Sequence, residues 1–197
     1  MATRKSSTWS GTSLSQITDT TSGDSYWPSL DSGIIAFESS ADLTGDNPDG
    51  SIEIFVLTPF GFTQITDATS GESSLPSLDG SAIAFSSTSD LTGDNSDSNS
   101  EIFLWENDQL VQITDSTSLG TGSSAPSLKD GTLSFHSDAD HVGDNPDGNT
   151  EIFRWSEEDG IVQVTVTTDN GATSVLSQGL EPRRQPDRLR VECRPGR

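Results

Sequence analysis

The sequence predicts an all-β fold, a partial β-propeller of about three four-stranded antiparallel blades in an open arc, and three observations carry that prediction. Short motifs recur in fixed order: Gln-Ile-Thr at Gln16, Gln64 and Gln112 with Gln-Val-Thr at Gln163, Pro-Ser-Leu at Pro28, Pro76 and Pro126, and Glu-Ile-Phe at Glu53, Glu101 and Glu151. Their period of 48 to 51 residues is the length of one supersecondary unit, in the range of a propeller blade. The runs Ile34-Ile35-Ala36-Phe37 and Ile54-Phe55-Val56-Leu57 are continuously apolar, which suits strands covered on both faces, as stacked blades are.

The strands of one unit follow in order. In the second unit Pro76–Gly80 ends in an Asp-Gly turn, the β-rich run SAIAFSS follows, EIFLWE is a third strand and QLVQIT a fourth. Complete units span about 26–66, 74–114 and 124–165. The stretch TSLSQIT before them is a lone last strand, and TTDNGATSVLSQ after them begins a further unit. Residues 1–12 are expected to be a disordered N-terminal segment, 13–178 the repeat region, and 179–197, rich in Arg and Pro, a disordered tail.

Three blades and two fragments fall short of the four to eight of a closed ring, so an open arc is expected unless the two fragments pair as a fourth, incomplete blade. An uncovered blade face with about five large apolar side chains forgoes on the order of 10 kcal/mol of burial, as an upper estimate. That favours self-association or further blades. The fourth unit breaks abruptly into the Arg- and Pro-rich tail, which reads as a truncated or frame-shifted end of a longer propeller.

Charge and composition narrow the function classes. The 197 residues carry a formal charge of -21, and before Gly179 only 4 basic residues stand against 28 acidic ones. A nucleic-acid partner needs Lys and Arg on its binding face and is excluded as an expectation. No apolar run approaches membrane-spanning length, and the opening MATRKSSTWSGTSLS lacks the apolar core of a secretory signal. The single cysteine, Cys193, leaves no pair for an intrachain disulfide.

The order QIT, PSLDG, IAFSS, EIF and again QIT resembles the TolB-like, WD-like β-propeller repeat, over roughly Ser13 to Gln178. Two departures stand out: the usual Ser-Pro-Asp-Gly turn is SLDG or SLKDG here, and the loop before EIF holds a longer acidic insert. The resemblance implies a propeller with a binding or scaffolding role, and by analogy alone an envelope or extracellular location. The same repeat also forms the propeller of some prolyl-peptidase relatives, which gives the alternative of a gating, substrate-access module whose peptidase domain is not in this chain.

The insert is DLTGDNPDG from Asp42, DLTGDNSDS from Asp90 and DHVGDNPDG from Asp140. Its candidate metal ligands are Asp46, Asn47, Asp49 and Glu53 in the first copy, Asp94, Asn95, Asp97 and Glu101 in the second, and Asp144, Asn145, Asp147 and Glu151 in the third. Calcium takes six to eight hard oxygens from loops of this kind, around a Gly that permits the sharp turn. An EF-hand loop would need Asp where Gly45 stands, so this is not that motif. The other reading is a plain turn, in which Asp and Asn cap backbone amides and Pro48 fixes one dihedral. Asp42, Asp90 and Asp140 fit either reading, as ligands or caps. The second copy lacks the Gly and Pro and is expected to be the weaker binder.

Catalysis finds little support. His136 and His141 occur only in the third unit, as surface or loop histidines, and no nucleophile elbow, phosphate loop or His-Glu-x-x-His is present. Trp105 and Trp155 are expected to pack between blades rather than to stack on sugars. The sequence thus points to a non-catalytic binding or scaffolding module, with calcium as its candidate cofactor and with protein partners or a second copy meeting its open faces.

Overall fold

The computed structural model describes residues 7–10, 13–117, 122–168 and 173–175. Every regular element among them is a strand. Three sheets of four antiparallel strands follow one another in simple meander order. The first blade is β3 (Ser25–Asp31), β4 (Ile34–Ser39), β5 (Glu53–Thr58) and β6 (Gly61–Gln64). The second is β7 (Ser73–Asp79), β8 (Ala82–Ser87), β9 (Glu101–Glu106) and β10 (Gln109–Gln112). The third is β11 (Ser123–Lys129), β12 (Thr132–Ser137), β13 (Glu151–Ser156) and β14 (Gly160–Gln163). These are the blades of a partial propeller, and the sheets do not close into a ring.

Two-stranded sheets flank the blades. β1 (Ser7–Ser10) pairs β2 (Ser13–Gln16), and β15 (Thr165–Thr167) pairs β16 (Thr173–Val175). Ser7 lies opposite Gln16 as Phe55 lies opposite Gln64 and Phe103 opposite Gln112, so β1 and β2 stand as the last two strands of a blade. The sequence placed one strand there and assigned residues 1–12 to a disordered segment; β1 corrects that for residues 7–10. Its letters, STWS, carry one apolar residue and so give no periodic signal. The tail 179–197 lies outside the described residues.

The apolar runs are buried on both faces. Phe37 and Phe55 stack across β4 and β5, as do Phe85 with Phe103 and Phe135 with Phe153, with ring centroids 5.7–6.0 Å apart. The opposite faces of the same strands meet the next blade: Ala36, Ile54 and Val56 pack on Leu78, Ile83, Phe85 and Phe103, and Ala84 and Ile102 pack on Leu128, Leu133, Phe135 and Phe153. Trp105 and Trp155 lie partly buried against these interblade clusters.

Low hydrophobic content is offset by polar ties at the blade ends. A buried pair of serine hydroxyls, 3.1 Å apart, joins the first and second strands of every blade: Ser25 with Ser39, Ser73 with Ser87 and Ser123 with Ser137. Each first strand also carries a bulge where a non-glycine residue adopts positive φ just before proline, at Trp27, Leu75 and Ala125. Three copies of that costly conformation mark it as part of the blade design.

The first strands are neighbours and hold the arc together. Leu78 N donates to Ser29 Oγ and Leu128 N to Ser77 Oγ, both at 2.9 Å. Gly80 N donates to Asp31 Oδ2 and Asp130 N to Asp79 Oδ2, and Lys129 Nζ reaches Asp79 Oδ1 at 2.5 Å. The Lys129 side chain and the Asp130 amide hold the Asp79 carboxyl below its ordinary value. The expected Asp-Gly turn is displaced by one residue. Asp79 stays in the strand, opposite Ala82, because its carboxylate is spent on the next blade.

Candidate functional site: acidic loops and an uncovered blade face

Each acidic loop is folded by its first aspartate. Gly45 N and Asn47 N both donate to Asp42 Oδ1, at 2.7 and 3.2 Å, and Asp90 and Asp140 accept the equivalent pairs at 2.7–3.0 Å. These three aspartates are turn caps. The asparagine two residues past the glycine is buried in every copy, and its Nδ2 donates to the backbone oxygen of Ser51, Asn99 or Asn149 at 2.9–3.0 Å. The loop therefore closes around the side chain of Asn47, Asn95 or Asn145.

The glutamate that opens Glu-Ile-Phe is buried as well, and its carboxylate ties the third strand to the segment after the fourth. Thr66 Oγ1 accepts from Ile54 N and donates to Glu53 Oε2, while Ala68 N donates to Glu53 Oε1 at 2.9 Å. Glu101 accepts from the Thr114 hydroxyl, from Ser116 N at 2.7 Å and from Ser116 Oγ at 2.6 Å. Glu151 accepts from Thr165 Oγ1, Thr167 N and Thr167 Oγ1. Burial pushes the Glu53 carboxyl up against these bonds. At Glu151 burial acts in the same direction, but the hydroxyls of Thr165 and Thr167 outweigh it and hold the carboxyl low.

The Gln-Ile-Thr motif gains its meaning from this tie. Gln64, Gln112 and Gln163 donate through Nε2 to the carbonyl of the threonine two residues on, at 2.9 Å, which fixes the turn that presents the threonine hydroxyl to the glutamate. Gln64 Oε1 in turn accepts from Thr44 Oγ1 and Gln112 Oε1 from Thr92 Oγ1. In the third blade Val142 stands where the threonine would be, and the buried Gln163 Oε1 meets no donor. Val142→Thr is expected to supply it and to stabilise the chain by about 1 kcal/mol, read as a higher urea midpoint at unchanged m.

Placed in this geometry, the sequence's candidate ligands separate. Asp46, Asp94 and Asp144 are exposed, as are Asp49, Asp97 and Asp147. Asp49 accepts from Ser51 N and from Ser51 Oγ, which hold its carboxyl low. Among the described residues no three His, Cys, Asp or Glu side chains form a metal-holding group. What the loop does bring together is a mixed set: in the first copy Ser51 Oγ stands 3.1 Å from Asn47 Oδ1, 2.9 Å from Asp49 Oδ1 and 3.0 Å from Glu53 Oε1.

His141 lies in the loop after β12, as expected, and is half-buried there. It replaces Leu43 and Leu91, lies edge-on to Phe135 and Phe153, and its Nε2 is 3.0 Å from both Ser123 Oγ and Ser137 Oγ. Desolvation holds its pKa below the ordinary value. It packs from its loop onto the two rings, with one polar handle on the serine pair.

The second candidate site is a blade face. The leucine of Pro-Ser-Leu is 7% exposed at Leu78 and 6% at Leu128, each covered by the preceding blade, but 67% exposed at Leu30. Trp27 on the same strand and Leu14 on β2 are also exposed. The trailing face of the third blade differs: Ser134 and Arg154 occupy the positions of Ala36 and Val56, while Ile152 and Val162, opposite Arg154, are apolar. The sequence anticipated open faces but not this asymmetry, although the Ala-to-Ser and Val-to-Arg changes are visible once the strands are registered.

No protein-family model matches the chain, and no curated protein matches it either. Among solved structures, the tricorn protease is similar to it at a TM-score of 0.46 and 14% identity, covering 71% of this chain and 12% of that one. A putative TolB from Agrobacterium tumefaciens is similar at a TM-score of 0.44 and 14% identity, covering 68% of this chain and 43% of that one. The chain thus spans under half the length of either structure, and its propeller architecture rests on its own three meander sheets.

Proposed function

We propose that the chain is a non-catalytic binding module whose uncovered leading blade face, built on β3, docks a protein partner. One observation carries the reading: Leu30 occupies a position that is interblade core in both other blades, yet it is two-thirds exposed. A second copy is the partner that fits. Ser134 and Arg154 make the trailing face polar, in the manner of a capping repeat, so head-to-tail stacking is disfavoured and leading face meets leading face across a two-fold axis. Calcium held by the acidic loops suits such a module as a structural ion rather than a reagent.

Sedimentation equilibrium of the chain and of Leu30→Asp tests this. Burying one leucine contributes about 2 kcal/mol and a two-fold interface buries two, so the substitution is expected to weaken association by roughly 1000-fold while leaving the monomer folded. Monomeric behaviour of both proteins up to about 100 µM, a range in which any dimer of moderate affinity is populated, would reject the reading.

A further inference from the structure

The second and third acidic loops contain buried oxygens that no described residue satisfies, and the first does not. Asn95 is 1% exposed and Asn145 is 2% exposed, and the Oδ1 of each meets no donor among the described residues. The same holds for the buried Oδ1 of Asn99 and of Asn149. These are oriented amides, since both nitrogens in each loop are engaged: Asn95 Nδ2 on Asn99 O, and Asn99 Nδ2 on the carbonyl and hydroxyl of Ser116; Asn145 Nδ2 on Asn149 O, and Asn149 Nδ2 on Thr167 O at 2.8 Å. Turning any of them over would set carbonyl against carbonyl.

The first loop shows where these oxygens point. Asn47 is anchored through its Nδ2 as Asn95 and Asn145 are, and its Oδ1 faces the side chain of residue 51, where Asp49 and Glu53 also converge. There the Ser51 hydroxyl supplies one hydrogen, shared among the three oxygens. In the other copies that position is Asn99 or Asn149, whose buried Oδ1 takes the place of a hydroxyl, while Asn149 Nδ2 faces Asp147 Oδ2 at 3.5 Å. Residues 90–101 and 140–151 carry no Lys or Arg to meet these oxygens.

We propose that the second and third loops each hold a divalent cation of the calcium type, between the Oδ1 atoms of Asn95 and Asn99 with Asp97, and between those of Asn145 and Asn149 with Asp147, while Ser51 fills the first loop without one. Hard amide and carboxylate oxygens with a carboxylate at the solvent side suit calcium, whose remaining ligands are waters. The order of the first and second copies is the reverse of that expected from Gly and Pro content, because the residue at 51, 99 or 149 decides it. The inference rests on reading the loops as ion holders and is independent of docking at the leading face.

Calorimetric titration of the metal-stripped full chain with calcium chloride, with magnesium chloride as the control ion, tests it. Two sites are expected, with dissociation constants on the order of 10⁻⁴ to 10⁻³ M, and a melting temperature that rises with calcium. Ser51→Asn is expected to add a third site, and Asn99→Ser, checked for folding by circular dichroism, to remove one. No saturable heat at about 10 mM calcium, the result if water satisfies these oxygens, would overturn the proposal. Three sites in the unsubstituted chain would overturn it as well. Sedimentation of the same metal-stripped sample reads docking separately, so failure of one reading does not imitate failure of the other.

Discussion

Glu101→Ala is expected to cost roughly 4 kcal/mol and to leave much of the chain unfolded, because three donors lose their acceptor at once inside the blade. The Thr114 hydroxyl, Ser116 N and Ser116 Oγ all point at that carboxylate, and Glu101 is 1% exposed, so water does not replace it without opening the sheet edge. Glu101→Gln keeps the volume and one oxygen. It is expected to cost about 1–2 kcal/mol, since Ser116 retains its partner while an amide nitrogen faces Thr114. Urea unfolding of the two variants reads both. Equal and small losses would mean that the carboxylate does not hold the fourth strand's end, and the account of the Glu-Ile-Phe and Gln-Ile-Thr motifs as one tie would fail.

Leu78→Asp is expected to be at least as damaging, at about 4 kcal/mol or more, through lost burial and a carboxylate placed among Ala36, Ile54 and Val56. The stability of a chain of this size is itself only about 5–15 kcal/mol, so a large share of it is expected to be lost, read as a lower urea midpoint. Leu30→Asp makes the same chemical change at the equivalent position of the first blade. Its expected cost is within about 0.5 kcal/mol, because Leu30 is already in solvent. The contrast between two identical substitutions separates a core position from a docking position without reference to any ligand.

Much of the architecture was legible in the sequence because it is repeated. The spacing of Gln-Ile-Thr, Pro-Ser-Leu and Glu-Ile-Phe set the number of blades, and the continuous apolar runs identified strands covered on both faces. The hairpin of β1 and β2 was half missed, since STWS has neither alternation nor an apolar run to announce it. Within the acidic loops the residue types were legible and their roles were not. Asp42 and Glu53 look alike as oxygen donors in a sequence, yet one caps a turn and the other binds a threonine across 13 positions, a partnership that only the sheet register creates. The packing of His141 onto Phe135 and Phe153 was invisible because a single imidazole in place of leucine looks like chance. Asn99 and Asn149 passed unnoticed for a related reason: Ser51, Asn99 and Asn149 are all ordinary loop residues until the buried neighbour oxygen shows what each one gives or withholds.

The claim that the first blade presents an interblade surface outward is tested most directly by hydrogen exchange of β3 and β7 in the same sample at two concentrations. The expected result is that β3 amides around Leu30 exchange faster than those around Leu78 in dilute solution and slow as concentration rises, while β7 does not change. Equal protection of the two strands at both concentrations would contradict it.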